Sequence, residues 1–180
     1  MSDKPSRKPS PPPMPDLLSP RERVERMIRV DQAGEYGAVR IYQGQRAVLG
    51  KAASGAALAK MEQAERAHLA TFDKLMVERR VRPTLLQPLW HLAGFALGAG
   101  TALLGEKAAM ACTVAVEEVI EEHYARQAET LAGTEPVLKT EIEHRDTALA
   151  AGAKEAPGYD ALTAVVKAGS KLAIWLSERV

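Results

Sequence analysis

One cysteine, two tryptophans, two phenylalanines and four tyrosines are all that this 180-residue chain carries of those types. The lone Cys112 excludes an internal disulfide framework and is compatible with a reducing compartment. Sparse aromatics point to a core packed by aliphatic side chains, and few residues favour strands. Net charge is nearly missing as well, at +1, so nothing argues for nucleic acid as a partner. No Gly-x-Gly-x-x-Gly sits between a strand and a helix, so a dinucleotide would have to bind without a Rossmann fold. Charge disappears altogether between Pro83 and Gly105, where no Asp, Glu, Lys or Arg occurs.

What is present is Ala, Leu, Glu, Lys and Arg, and the reading is all-α. Residues 1–18 hold six prolines before Asp16 and read as a disordered tail. The tail has no apolar stretch for a secretory signal, and its prolines break the amphipathic helix of a mitochondrial presequence. Residues 19–180 read as a single domain. Ser19-Pro20-Arg21-Glu22 opens a first helix as cap, proline and capping-box glutamate, and Gly50 ends it. Gly34 and Gly37 within it suggest close packing there. A second helix runs from about Gly55 to Arg80, and the uncharged segment supplies a third. A fourth runs from Glu106 to about Thr130. A fifth follows Thr134-Glu135-Pro136, and a sixth opens near Pro157. The stripe Leu162, Val165, Val166, Gly169, Leu172, Ala173, Leu176 gives the sixth a clear 3.6-residue period.

The helices fall into two similar halves. Each has a helix with one glutamate on an apolar face, then a helix with Glu-x-x-His. Glu35 precedes Glu65-Arg66-Ala67-His68, and Glu117 precedes Glu141-Ile142-Glu143-His144. Residues at i and i+3 share a helix face, so each pair presents a carboxylate and an imidazole together. Four carboxylates and two imidazoles are the inventory of a two-metal site inside a four-helix bundle. Four negative charges also balance two divalent ions. With 17 glutamates in the chain, Glu-x-x-His spacing alone is weak evidence, and salt-bridged glutamates are the competing reading. The added weight comes from the two upstream glutamates and the repeat. Oxygen and imidazole donors suit iron or manganese. The arms between Glu35 and Glu65 climb and descend by similar amounts. The 24 positions from Glu117 to Glu141 require an extended stretch at 130–136. Asp31 and Asp146 are candidates to orient a ligating imidazole. Tyr124, two turns after Glu117, is a candidate proton or electron relay, with an ordinary core tyrosine as the alternative.

Taken together, Arg29-Val30-Asp31-Gln32-Ala33-Gly34-Glu35-Tyr36-Gly37-Ala38, Glu65-x-x-His68, Ala111-Cys112-Thr113-Val114-Ala115-Val116-Glu117-Glu118, His123-Tyr124, Glu141-x-x-His144 and the ending Leu176-Ser177-Glu178-Arg179-Val180 resemble the demethoxyubiquinone hydroxylase family. The resemblance covers about residues 20–180. Gln32 stands where a histidine is expected, and Arg145 where some members have a second histidine. The resemblance implies a ferritin-like four-helix bundle with two additional helices, one of them membrane-interfacial. It implies a di-iron monooxygenase that hydroxylates the ring of a polyprenyl methoxy-methyl-benzoquinol with dioxygen. Two iron ions per chain would be held by Glu35, Glu65, His68, Glu117, Glu141 and His144, with Glu65 and Glu141 bridging. NADH or another reductant would supply electrons. A lipid-binding accessory protein of the ubiquinone pathway is an implied partner.

The 23 residues from Pro83 to Gly105 could cross a bilayer, lie on it, or form a buried helix. Their glycines and prolines disfavour a span, and a membrane-dissolved tail on the substrate favours a surface contact. The expectation is a peripheral protein on the cytoplasmic face of a bacterial inner membrane. A soluble ferritin-type iron-oxidising or iron-storing protein is the alternative from another class, and a metal-free quinone scaffold is a third. An uncharged, lipid-suited strip speaks against a shell-forming protein.

Overall fold

A computed structural model describes residues 18–127 and 135–180, with side chains taken up again at 140. The proline-rich tail, the expected end of the fourth helix past Gln127 and most of the expected extended stretch lie outside these residues. Six α-helices follow in order: α1 Pro20–Leu49, α2 Gly55–Arg79, α3 Gln87–Leu103, α4 Glu106–Gln127, α5 Glu135–Ala150 and α6 Tyr159–Ser177. A single 3-10 turn at Ala153–Glu155 separates the last two. No strand occurs among the described residues.

The start of α1 follows from its sequence. Glu22 N donates to Ser19 Oγ at 3.3 Å and Ser19 N donates to Glu22 Oε2 at 2.8 Å, a closed capping box with Pro20 in the first turn. The end of α2 is set by Arg80, which takes the left-handed conformation at φ 56°. In that conformation the N–H groups of Arg80 and Val81 satisfy carbonyls of the last turn. Gly105, at φ 112°, makes the turn from α3 into α4 that a side chain would strain.

α1, α2, α4 and α5 form a ferritin-like four-helix bundle. α3 lies along α1 and α6 along α4, one extra helix on each half. The α1–α3 seam is a backbone-to-backbone approach. A Cβ on Gly98 would stand 1.9 Å from the Ile41 carbonyl oxygen, and one on Gly44 would stand 2.2 Å from that of Phe95. Close packing therefore falls at Gly44 and at the Gly37 carbonyl, which a Cβ on Gly94 would meet at 3.0 Å, but not at Gly34. A Cβ at Gly34 or Gly37 would itself meet nothing within 4 Å, and both line a cavity. Inside the bundle, Tyr42, Leu58, Met61, Met110, Val114 and Ala148 make the main apolar cluster. Cys112 is a buried free thiol.

Candidate metal centre

Six side chains from four helices meet inside the bundle. Glu35 comes from α1, Glu65 and His68 from α2, Glu117 from α4, Glu141 and His144 from α5. Two overlapping groups form. In one, donor atoms of Glu35, Glu65, His68 and Glu141 lie within 4.8 Å of one another; in the other, those of Glu65, Glu117, Glu141 and His144 do. Glu65 and Glu141 belong to both, as carboxylates that serve two positions must. The imidazoles cross between halves. His68 Nδ1 lies 3.0 Å from Glu141 Oε1, and His144 Nδ1 lies 2.8 Å from Glu65 Oε1.

Such a cluster cannot be a finished salt-bridge network. The four carboxylates are at most 1 % exposed. Among the described residues, twelve buried side-chain N and O atoms lack a hydrogen-bond partner, and eight of them belong to these six residues. Buried polar atoms in native proteins are paired almost everywhere. This many unpaired donors of one chemistry at one point fit a pair of divalent cations. The electrostatics agree. Burial pushes Glu35 up to about 8 and Glu141 well above the carboxylate range, with Glu117 and Glu65 adding to the latter. Burial also opposes charge on Glu65, but the imidazoles of His144 and His68 close beside it outweigh burial and hold Glu65 at about 2. Burial alone would lower both histidines. Glu35 and Glu65 instead raise His68 to about 10, and Glu117 and Glu65 raise His144 to about 9. Without cations, protons from the histidines balance the carboxylates.

A family model for ubiquinone biosynthesis protein COQ7 matches residues 22–177. The chain belongs to the COQ7 family. The 3-demethoxyubiquinol 3-hydroxylase of Rhodospirillum rubrum is 58 % identical over 176 residues, covering 93 % of this chain and 83 % of that protein. The human protein named NADPH-dependent 3-demethoxyubiquinone 3-hydroxylase, mitochondrial, is 52 % identical over 172 residues, covering 89 % and 79 %. The Saccharomyces cerevisiae 5-demethoxyubiquinone hydroxylase is 41 % identical over 182 residues, covering 87 % and 78 %.

Around the COQ7 cluster, two tyrosines complete the carboxylates. Tyr124 Oη donates to Glu35 Oε1, and Tyr42 Oη donates to Glu117 Oε1 at 2.5 Å. Burial first, and then the neighbouring carboxylate, keeps both phenols protonated well above their usual range. Sequence reasoning singled out Tyr124 and passed over Tyr42. The signal was there: Tyr42 follows Glu35 by seven positions, as Tyr124 follows Glu117. The two aspartates suggested as imidazole-orienting groups do other things. Asp31 Oδ1 lies 3.1 Å from His123 Nε2. With its amide turned to satisfy both neighbours, Gln127 donates to Asp31 and accepts from His123. Asp146 pairs with Arg145, which also reaches Glu121. Gln32 donates to Asp73 at 2.9 Å. Neither Gln32 nor Arg145 is in the metal cluster.

A cavity of about 360 Å³ opens beside the centre, walled by α1, α3, α4 and α6. Glu35, Tyr124, Asp31 and His123 are among its polar lining residues, and Leu97, Ile120, Val116 and Ile174 among its apolar ones. Gly34 and Gly37 hollow its α1 wall. Trp90 Nε1 donates to Ser177 Oγ at 3.0 Å, tying α3 to α6 across it. Outward from the same two helices, Leu89, Leu92, Leu103, Val165, Leu172 and Trp175 are at least half exposed. No described helix is long and apolar enough to cross a membrane.

Proposed function

We propose that this chain is a di-iron monooxygenase that hydroxylates the ring of demethoxyubiquinol, a polyprenyl methoxy-methyl-benzoquinol, in ubiquinone biosynthesis. The observation that carries the reading is the apolar cavity lined by Glu35, a member of the buried carboxylate–histidine cluster, and by its partner Tyr124. The names of the relatives at 41–58 % identity support the same substrate. Glu35 and His68 would hold one iron, Glu117 and His144 the other, with Glu65 and Glu141 between them. An iron pair held there supplies the redox chemistry by which dioxygen is reduced, one oxygen atom entering the ring and the other leaving as water.

The protein's own contribution is binding, orientation and exclusion of water. The cavity volume falls at the small end of ligand pockets and suits one substituted ring. Its apolar walls shed water as the ring enters. Tyr124 holds a proton at Glu35 Oε1 beside the ring, where a relay would work. Two electrons must come from a reductant, NADH or another donor; the human relative is named NADPH-dependent. The folded unit runs over residues 19–180. The exposed leucines of α3 and α6 would rest on a membrane surface, the cytoplasmic face of a bacterial inner membrane, from which the polyprenyl tail reaches the cavity. A lipid-binding accessory protein would help deliver it.

The test loads the metal-free chain with ferrous iron under anaerobic conditions, then adds oxygen and a short-tailed demethoxyubiquinol. A product heavier by one oxygen atom is expected. Iron uptake without any such product would overturn the substrate assignment.

A further inference from the structure

The four glutamates of the cluster are not equivalent in their hydrogen bonding. Glu35 and Glu117 each give Oε1 to a tyrosine and keep Oε2 without a partner. Glu65 and Glu141 have neither oxygen on a tyrosine; their nearest polar neighbours are the imidazoles His144 and His68, themselves members of the cluster. A carboxylate with one oxygen occupied offers a single atom to a metal. One with both oxygens open can offer an atom to each of two metals.

The tyrosines come from opposite halves. Tyr42 on α1 serves Glu117 on α4, and Tyr124 on α4 serves Glu35 on α1. Seven residues are about two helical turns, so each tyrosine shares a face with the glutamate of its own helix. The reciprocal bonds then require α1 and α4 to run in opposite directions. Both tyrosines are 2 % exposed, so the two phenol–carboxylate bonds are sheltered from bulk water. A tyrosine hydroxyl also brings no opposing charge to the carboxylate, whereas Lys or Arg would spend the ligand's charge on an ion pair.

We propose that Tyr42 and Tyr124 are paired positioning residues that restrict Glu117 and Glu35 to one metal-facing oxygen each, leaving Glu65 and Glu141 to bridge. The inference rests on the metal-centre reading above. Partners behind a ligand set its orientation, and losing one costs roughly 10–100-fold in metal affinity or activity.

The experiment uses the full chain, freed of metal and titrated with Co²⁺, whose visible absorption weakens as its coordination number rises. Wild type should take up two Co²⁺. Tyr42→Phe and Tyr124→Phe should also take up two, because all six donors remain. In each variant the freed oxygen closes onto one ion, so the absorption weakens by part of the wild-type value and affinity changes about tenfold. The double variant should show both losses. A merely structural role would lower the melting temperature of the metal-free chain and leave the Co²⁺ spectrum alone. Wild-type spectra and affinities in both folded single variants would overturn the assignment. Should Tyr42→Phe fail to fold, Tyr124→Phe decides by the same spectrum. A wild-type chain that takes up no Co²⁺ would take down the metal-centre reading, and this inference with it; two Co²⁺ with unmoved variants takes down this inference alone.

Discussion

The halves α1–α3 and α4–α6 share a plan but differ in how the third helix is attached. α3 is laid into α1 by glycines, with Gly44, Gly94 and Gly98 bringing backbones together. α6 is laid onto α4 by Val166, which packs with Ile41, Cys112, Ala115 and Val116. At its edge run the ion pairs Lys167–Glu118 and Lys171–Glu122, the latter at 2.9 Å. Exposed pairs of this kind contribute about 0–1 kcal/mol. Interlocked backbones are far less forgiving of change. The uncharged segment is thus explained twice: its glycines meet α1, and Leu85, Leu89, Leu92, Leu103 and Leu104 face outward. The two tyrosines diverge in parallel. Tyr42 is sealed in the core with Leu58 and Met110, whereas Tyr124 lines the cavity. A repeat that is symmetric at the metal ligands is asymmetric where substrate would enter.

The largest effects should show the symmetric part. His68→Ala and His144→Ala should each drop ring hydroxylation to background and lower bound iron below two per chain, while helical circular dichroism stays. Glu65→Ala, which strikes both positions at once, should do the same or worse. Full turnover in any of the three, measured by product mass, would break the equivalence of the halves and the site with it.

Acidity gives the next largest effect. In the metal-free chain, His68 and His144 are raised from 6.5 to about 10 and about 9, and Glu35 from 4.5 to about 8. A raised group binds protons more tightly folded than unfolded. Its contribution is full below the unfolded value and fades as pH climbs through the folded one. Melting temperature of the metal-free chain should therefore fall from about pH 7 to pH 10. Divalent metal replaces those protons, so metal affinity should rise over the same window. A metal-free melting temperature that rises from pH 7 to 10 would contradict the cluster's electrostatics.

Much of the site was legible because its logic is local. Capping signals placed α1, and two Glu-x-x-His pairs with upstream glutamates named six side chains that the fold brings together. What stayed hidden depends on contacts between distant segments. Asp31 was read as a partner for a ligating imidazole because only its own helix is visible in sequence. In the fold it faces His123, 92 positions away. Gly34 and Gly37 were read as packing glycines because a glycine in a helix costs stability and needs a reason. Both leave space for the cavity, which no local pattern encodes, while the Gly37 carbonyl also meets Gly94 of α3. Tyr42 went unassigned although its spacing repeats that of Tyr124, because the carboxylate it serves, Glu117, lies 75 positions away on another helix.

A pair of alanine substitutions sharpens the contrast between the two added helices. Gly98→Ala drives a Cβ into the Ile41 carbonyl, and something must shift. A cost of roughly 1–3 kcal/mol is expected, each kcal/mol lowering the melting temperature by about 2–4 °C in a chain this size. Gly169→Ala on α6 meets nothing within 4 Å. It should gain up to about 1 kcal/mol from helix propensity. Equal losses in the two variants would mean that α6 is seated as tightly as α3.

The smallest effect on the chemistry itself, and the one that isolates the outer faces, comes from charging them. Leu92 and Leu172 are 69 % and 55 % exposed and sit on α3 and α6. Replacing either by glutamate removes apolar area without touching the cavity lining, so turnover of a short-tailed quinol should stay within about twofold. Membrane burial of one leucine is worth about 1.5–3 kcal/mol, so binding to vesicles of anionic and neutral phospholipid should weaken roughly tenfold or more in each variant. If both faces rest on the bilayer, the double variant should lose the sum of the two free energies, since the sites lie on separate helices. Loss confined to Leu92→Glu would make α3 the only contact and α6 a free face. That outcome would extend the asymmetry of the halves from the cavity to the membrane.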